Sequence, residues 1–167
     1  NLGEKLSKSN AAQNINGWII IDKPTGMTST AVVNKIKWAC SARKAGHAGT
    51  LDPSATGILA IALGEATKTI PYVTEQVKSY TFEVKWGEAT DSDDSDGKII
   101  QTSQVRPSEQ DIIAILPRFR GEIKQTPPFF SAVKINGRRA YELARSGEDF
   151  DIASRSLFVS SLKLEKY

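Results

Sequence analysis

Apolar positions along the chain follow two different periods, which predicts a mixture of strands and helices. Continuous apolar runs and period-two alternation predict strands over residues 17–22, 58–63, 80–86, 98–102, 119–124, 130–135, 150–152 and 156–166. Apolar residues at helical spacing, next to capping residues, Gly or Pro, predict helices over residues 28–42, 66–76, 108–116 and 138–146. These elements follow one another irregularly, so the predicted fold class is α+β, with a mixed, mostly antiparallel sheet flanked by helices and loops.

Local signals define several element ends. Ser108 and Asp111 have the spacing of a capping box at the start of the third helix. Pro71 is expected to kink or split the second helix, because proline lacks the amide proton that a helix interior needs. Asn136-Gly137 predicts a tight turn between two elements.

Residues 43–57 follow neither period, because glycine and proline interrupt them. A loop longer than about 12 residues in a compact domain is usually functional or disordered. This loop contains His47 and, directly before a proline, Asp52, which is a candidate nucleophile or general base. An ordinary turn at Asp52-Pro53 and a surface position for His47 are the competing interpretations, and the residues alone slightly favour the turn. Neither the phosphate-binding loop motif nor the dinucleotide fingerprint occurs.

Composition narrows the class of protein. The chain has 167 residues, of which 40% are hydrophobic and 25% charged, and it carries a formal net charge of +3, which is typical of one globular domain. Cys40 and His47 are the only residues of their types, so no intrachain disulfide and no Cys/His metal cluster is expected. The polar residues 1–15 lack a signal-peptide pattern, and no apolar run could span a bilayer, so we expect a cytoplasmic protein.

Charge is unevenly distributed along the chain. Residues 118–145 contain seven cations and two anions, whereas residues 88–96 contain five anions and no cation. Such segregation suits a polyanionic partner, although the charges alone favour an ordinary solvated surface. The acidic segment is not expected to bind calcium, because Ser92 and Ser103 occupy the first and last ligand positions of an EF-hand loop aligned on Gly97.

A series of motifs resembles the TruB family of tRNA pseudouridine synthases, in its stand-alone bacterial type. In chain order the motifs are GWIIIDKPTGMTS at residues 17–29, GHAGTLDPSATG at 46–57, GIL at 57–59 with GEATK at 64–68, KSY at 78–80, TDSDDSDG at 90–97, QTPPFFSAVK at 125–134 and GRRAYELAR at 137–145. Each motif alone is weak, but the ordered set is specific, and the similarity covers roughly residues 15–167.

The resemblance implies a pseudouridine synthase-like fold and a reaction on RNA. It implies isomerisation of uridine 55 in the T-arm stem-loop of tRNA, with Asp52 as the nucleophile and with no metal, cofactor, membrane or obligate protein partner. Attack at C1′, attack at C6 and assisted elimination are all compatible with a carboxylate there. His47 would lie near the flipped nucleotide, and Tyr80 would stack on the flipped base and assist proton removal at C5. Periodicity alone would instead place Tyr80 in a strand core.

The resemblance also assigns supporting residues and a domain organisation. Active-site support is expected from Lys23, Gly49, Thr50 and Asp91, and contacts to the RNA backbone from Arg43, Lys44, Lys134, Arg138 and Arg139. Residues 1–15 would be a polar extension, and residues 16–167 a catalytic domain that is incomplete at its carboxy end. Family members continue with an arginine that pairs with the catalytic Asp and with a small RNA-binding domain, so we expect this piece alone to be inactive. A non-catalytic RNA-binding or RNA-chaperone module and another Asp-dependent glycosidic enzyme are the alternatives.

Overall fold

The computed structural model describes residues 13–128, 133–135, 137–147 and 150–167. Contacts between residues divide the chain into two compact units, Asn1–Tyr80 and Thr81–Tyr167. The predicted boundary between a polar extension and a partial catalytic domain stays a prediction.

The first unit is an antiparallel sheet with a helix packed against it. Its elements are β1 (Gly17–Lys23), α1 (Ser29–Ala39), β2 (Ala45–Ala48), β3 (Gly57–Leu63), a 3₁₀ helix (Gly64–Thr69) and α2 (Ile70–Thr74). The strand order is β1-β3-β2, so β3 is central. Gly17 pairs with Leu63 and Lys23 with Gly57 across β1 and β3, which places the end of β1 beside the start of β3.

The core of this unit lies between α1 and one face of the sheet. Its buried members are Val32, Val33, Ala42, Leu59, Ile61 and Leu63. The spacing of Leu59, Ile61 and Leu63 shows the period-two alternation of a strand with one buried face. On the other face Ile20 and Ile58 are 60% and 70% exposed, so this face is left open at these two positions, although Ala62 at the far end of β3 is buried.

Two expectations for the first unit need correction. The predicted loop 43–57 contains β2, which the sequence concealed because small residues and one histidine carry no strand pattern; the strand forms through pairing with β3. Helix α1 ends at Ala39, three residues before the predicted end. The expected split of the predicted helix 66–76 is confirmed: it is divided into a 3₁₀ helix and the short α2, with Pro71 in the first turn of α2, where the missing amide proton is tolerated.

The second unit contains short paired strands and two helices. Its elements are β4 (Glu88–Thr90), β5 (Ile99–Thr102), α3 (Glu109–Ile115), a 3₁₀ helix (Leu116–Phe119), β6 (Gly121–Gln125), β7 (Lys134–Ile135), β8 (Arg138–Arg139), α4 (Ala140–Ser146) and β9 (Arg155–Val159). The pairs β4–β5, β6–β9 and β7–β8 are all antiparallel. The α+β class with mostly antiparallel pairing is therefore confirmed.

The predicted strand 80–86 is absent from the structure. Its alternating apolar side chains, among them Tyr80 and Phe82, are largely exposed instead of packed. Alternation predicts a half-buried strand only where a neighbouring strand supplies backbone partners, and no described strand pairs with this segment.

Other strand boundaries in the second unit also differ from prediction. No strand forms over 150–152, and the predicted strand 156–166 ends at Val159. The predicted helix 138–146 begins only at Ala140, because the two arginines before it form β8. Of the predicted strand 130–135, only Lys134–Ile135 is observed as β7, and positions 130–132 lie outside the described residues.

The capping box of α3 is confirmed and carries a testable consequence. The Ser108 hydroxyl accepts from the Asp111 amide, and the Asp111 carboxylate accepts from the hydroxyl at 2.7 Å and from the amide of Ser108 at 2.9 Å. Both bonds hold the pKa of Asp111 below its usual value, the side-chain bond contributing most.

We expect Ser108→Ala to return the pKa of Asp111 toward its usual value in an NMR titration of the carboxyl carbon. The pKa of Asp111 is lower in the folded state than in the unfolded state. The ionised carboxylate therefore stabilises the fold at pH values above the unfolded-state pKa, and this stabilisation is lost as the pH falls through the folded-state pKa. The variant should therefore lose helix stability at neutral pH and differ less from the wild type in acid. An unchanged Asp111 titration in the variant would contradict this assignment.

Candidate active site

Asp52 lies in the loop between β2 and β3, and its side chain is exposed. Its backbone carbonyl accepts from the Ala55 amide at 3.1 Å, so Asp52 does open a tight turn. Among the described residues, no hydrogen bond or ion pair engages its carboxylate; the two salt bridges found there join Lys68 to Glu65 and Lys85 to Glu88. The turn therefore presents a carboxylate that is not committed to a structural partner.

Lys23 ties the residue after Asp52 to the end of β1. Its side chain is fully buried, and Nζ donates to the carbonyls of Pro24 and Met27, both at 2.8 Å, and to that of Pro53 at 3.4 Å. The Gly26 amide donates to the same Pro53 carbonyl at 2.7 Å. Lys23, expected as active-site support, thus acts on the backbone beside Asp52.

Ser29 binds the residue before Asp52. Its hydroxyl donates to the Leu51 carbonyl and accepts from the Leu51 amide, each at 2.9 Å, and Ser29 is only 2% exposed. Sequence reasoning missed this contact. The sequence signal for this contact was the presence of two hydroxyl residues at the start of α1. Thr28 is sufficient to cap the helix, since its hydroxyl accepts from the Ala31 amide at 3.0 Å, which leaves the Ser29 hydroxyl available for another partner.

His47 is not on a surface loop but on β2, opposite Ile61, and it is half-buried. Its Nδ1 is hydrogen-bonded to the Gly49 carbonyl, and because a carbonyl oxygen only accepts, Nδ1 is the donor. Gly49 has a φ of +85°, a left-handed conformation that favours glycine. Gly46, by contrast, has no such conformation; it permits close packing, since a Cβ there would lie 2.9 Å from Cδ1 of Ile70.

The remaining expected site residues fall into both units. Thr50 is exposed beside Gly49, and Tyr80, at the end of the first unit, is 67% exposed and so not in a strand core. Asp91 belongs to the second unit, where its carboxylate accepts from the Lys98 amide at 2.9 Å and closes the β4–β5 turn. The structure thus gathers Lys23, His47, Gly49 and Asp52 around one loop.

The expected RNA-contacting cations lie in two places. Arg43 and Lys44 are exposed between α1 and β2. Lys134 is the backbone partner of Arg139 in the β7–β8 pair, and Ile135 is the partner of Arg138.

The acidic segment is organised as a turn. Asp94 Oδ1 accepts from the Ser92 hydroxyl at 2.6 Å and from the amides of Asp96 and Gly97 at 2.9 and 3.2 Å. Within the described part of the chain, no group of three or more His, Cys, Asp or Glu side chains has an arrangement suited to a metal ion. In the same residues, no helix combines the length and the apolar character needed to cross a membrane.

Comparison with known proteins matches the chain to a family. The model of the TruB family pseudouridylate synthase, N-terminal domain, matches residues 37–167, a span that includes the Asp52 loop. A tRNA pseudouridine synthase B of Cereibacter sphaeroides is 57% identical over 159 residues, covering 95% of this chain and 53% of the relative. The Ruegeria pomeroyi protein of the same name is 57% identical over 157 residues, with 94% and 52% covered.

A solved structure gives the same answer for the fold. A chain of a crystallised Cbf5-Nop10-Gar1 complex superposes with a TM-score of 0.54 at 28% identity, covering 91% of this chain and 36% of that one. The chain spans about half the length of the curated relatives that it matches.

Proposed function

The chain belongs to the TruB family of pseudouridylate synthases, and from that membership we propose that it supplies the catalytic aspartate of an enzyme that isomerises uridine 55 in the T-arm of tRNA. The observation that carries the proposal is the anchored loop at Asp52. Hydrogen bonds hold the residues on both sides of Asp52, while its own carboxylate is exposed and has no hydrogen-bond or ion-pair partner in the described part of the chain. A nucleophile needs this combination of a fixed backbone and a free reacting group.

The reaction requires no atoms beyond those of the substrate. The bond from C1′ to N1 breaks, the uracil rotates, a bond from C1′ to C5 forms, C5 loses its proton and N1 gains one. Transient attack by Asp52 divides this isomerisation into easier steps, and it is compatible with addition at C1′ or at C6. Because reactant and product are isomers, the reaction has no net redox step, and the proposal assigns the chemistry to Asp52 without a redox cofactor or a metal.

Asp52 can react only with a uridine that has left the base stack. Extrusion of a base costs a few kcal/mol, which the protein must recover by contacts in its pocket. His47, fixed by its bond to the Gly49 carbonyl, is proposed to occupy the space beside the flipped nucleotide. The exposed ring of Tyr80 is proposed to stack on the base, and Thr50 and Asp91 to support the pocket.

Cationic side chains are proposed to bind the RNA backbone. Phosphates would attract the exposed Arg43 and Lys44, and also Lys134, Arg138 and Arg139, which the short β7–β8 pair brings together in the chain fold. The partner is thus the T-arm stem-loop, with no obligate protein partner. A tRNA substrate also implies a cytoplasmic location.

Tyr80→Phe should separate stacking from proton transfer. The ring that stacks is kept, so affinity for a T-arm hairpin should not change, whereas loss of the hydroxyl should slow turnover by about 10²-fold, the lower range for general acid–base catalysis. Tyr80→Ala should in addition weaken binding by about 1–3 kcal/mol through lost stacking. Tyr72→Phe, at another exposed tyrosine, is the matched control. Turnover of Tyr80→Phe at the wild-type rate would show that the Tyr80 hydroxyl takes no part in the reaction.

The proposed function is tested with the complete protein and a T-arm hairpin that carries tritium at C5 of its target uridine. We expect tritium release together with one pseudouridine per hairpin, detected by nucleoside chromatography, and none from a hairpin with cytidine at that position. A hairpin that is bound but unaltered would favour the non-catalytic RNA-binding alternative. Release of free uracil would favour a hydrolytic glycosidic enzyme.

A further inference from the structure

The loop that carries Asp52 is held by a buried hydroxyl that belongs to a different element. Ser29 occupies the first position of α1, and its Oγ contacts both the amide and the carbonyl of Leu51 at 2.9 Å. A hydroxyl has one proton to donate and lone pairs to accept with, so a single side chain satisfies both backbone groups of Leu51.

The helix does not need this hydroxyl for its own capping. Thr28 is the N-cap, accepts from the Ala31 amide, and is exposed, whereas Ser29 is almost completely buried. Helix α1 is itself fixed to the sheet by the buried Val32 and Val33. The position of the Ser29 hydroxyl is therefore determined by the core, and through it the position of Leu51.

The contact completes a two-sided restraint on Asp52. On the far side, the Pro53 carbonyl is held by the Gly26 amide at 2.7 Å and by Lys23 at 3.4 Å. With Leu51 and Pro53 both bound, the backbone of the intervening Asp52 cannot shift without breaking one of these bonds. Loss of the Leu51 restraint would leave the loop anchored on one side only.

We propose that Ser29 is a positioning residue for the reaction: it sets the place of Asp52 relative to the substrate by clamping Leu51, and this role rests on the proposed function. Ser29 does not touch the reacting atoms. Its contribution is therefore expected in the rate of the chemical step and not in RNA affinity, because a misplacement of about 1 Å at a reacting group can cost 10²-fold in rate.

The test compares Ser29→Ala with Thr28→Ala in the complete protein. Both variants remove one hydroxyl from the start of α1, so both should lower the melting temperature. Well below that temperature, Ser29→Ala should reduce kcat by about 10- to 100-fold with KM for the T-arm hairpin within about twofold. Thr28→Ala should retain the wild-type kcat, and Ser29→Thr, which restores a hydroxyl, should recover part of the lost rate.

Hydrogen exchange provides a second readout that does not depend on activity. The Leu51 amide should exchange faster in Ser29→Ala than in the wild type, while the Gly26 amide, bound to Pro53, stays protected. A wild-type kcat in Ser29→Ala, or an equal loss in Thr28→Ala, would overturn the proposal. An inactive wild-type protein would overturn the proposed function instead, and faster Leu51 exchange in Ser29→Ala would then still support the clamp.

Discussion

Asp52→Asn is expected to abolish pseudouridine formation, with a loss of at least about 10³-fold in kcat, the scale seen when a covalent nucleophile is removed. The amide has nearly the shape of the carboxylate, so the turn through Ala55 and the anchors at Leu51 and Pro53 should persist. What disappears is the anionic oxygen that attacks the substrate. Single-turnover kinetics on the T-arm hairpin measure the loss directly.

The same variant should fold and bind RNA normally. The carboxylate of Asp52 is exposed and forms no hydrogen bond or ion pair with the described residues, so its replacement should leave the melting temperature unchanged within experimental error. Affinity for the hairpin should be equal or slightly higher, since one negative charge near the phosphates is gone. Asp151→Asn, at an exposed aspartate of the second unit, is the matched control and should keep full activity. Normal turnover by Asp52→Asn would show that Asp52 is an ordinary turn residue and not the nucleophile.

Lys23→Met is expected to cause the largest loss of stability in the first unit. The methionine fills similar space but leaves the carbonyls of Pro24 and Met27 without the ammonium that binds each at 2.8 Å. Hydrogen bonds to charged groups contribute about 1.5–3 kcal/mol each, and the variant also avoids the desolvation of a buried ammonium, so we expect a net destabilisation of about 2–4 kcal/mol. Urea unfolding followed by circular dichroism measures this difference.

Activity should also fall in Lys23→Met, because the turn after β1 and the Pro53 carbonyl lose their common donor. Lys37→Met, at an exposed lysine in the last turn of α1, provides the comparison. A surface substitution of this kind should change stability by no more than about 0.5 kcal/mol. Equal stability of the two variants would show that the buried ammonium is not a structural anchor.

The parts of the fold that the sequence predicted share one property: their signal is local. Strands β1 and β3 are continuous apolar runs, and α1 and α3 have recognisable caps at Thr28 and Ser108. Strand β2 was missed because its four small or polar residues pair with β3 without any pattern of their own. For residues 80–86 the error is the opposite one: their clear alternation predicted a strand that does not form, and no described strand pairs with them.

The candidate site was likewise predictable only in part. The residues of the loop made Asp52 a candidate, and the resemblance to a known family then implied its role and those of His47 and Lys23. The contacts that hold the loop were not predicted, because they join positions distant in sequence: Ser29 lies 22 residues from Leu51, and Lys23 lies 30 residues from Pro53. No local pattern encodes such pairs, whereas the packing of α1 on the sheet produces them.

The most direct test of Asp52 as the nucleophile for uridine 55 is nucleotide-resolution mapping of an unmodified tRNA transcript after incubation with the complete protein. We predict a single new pseudouridine at position 55 with the wild-type protein and none with Asp52→Asn. An unmodified position 55 in a transcript that the wild-type protein binds, or an abasic site in place of pseudouridine, would show that the protein does not isomerise uridine 55.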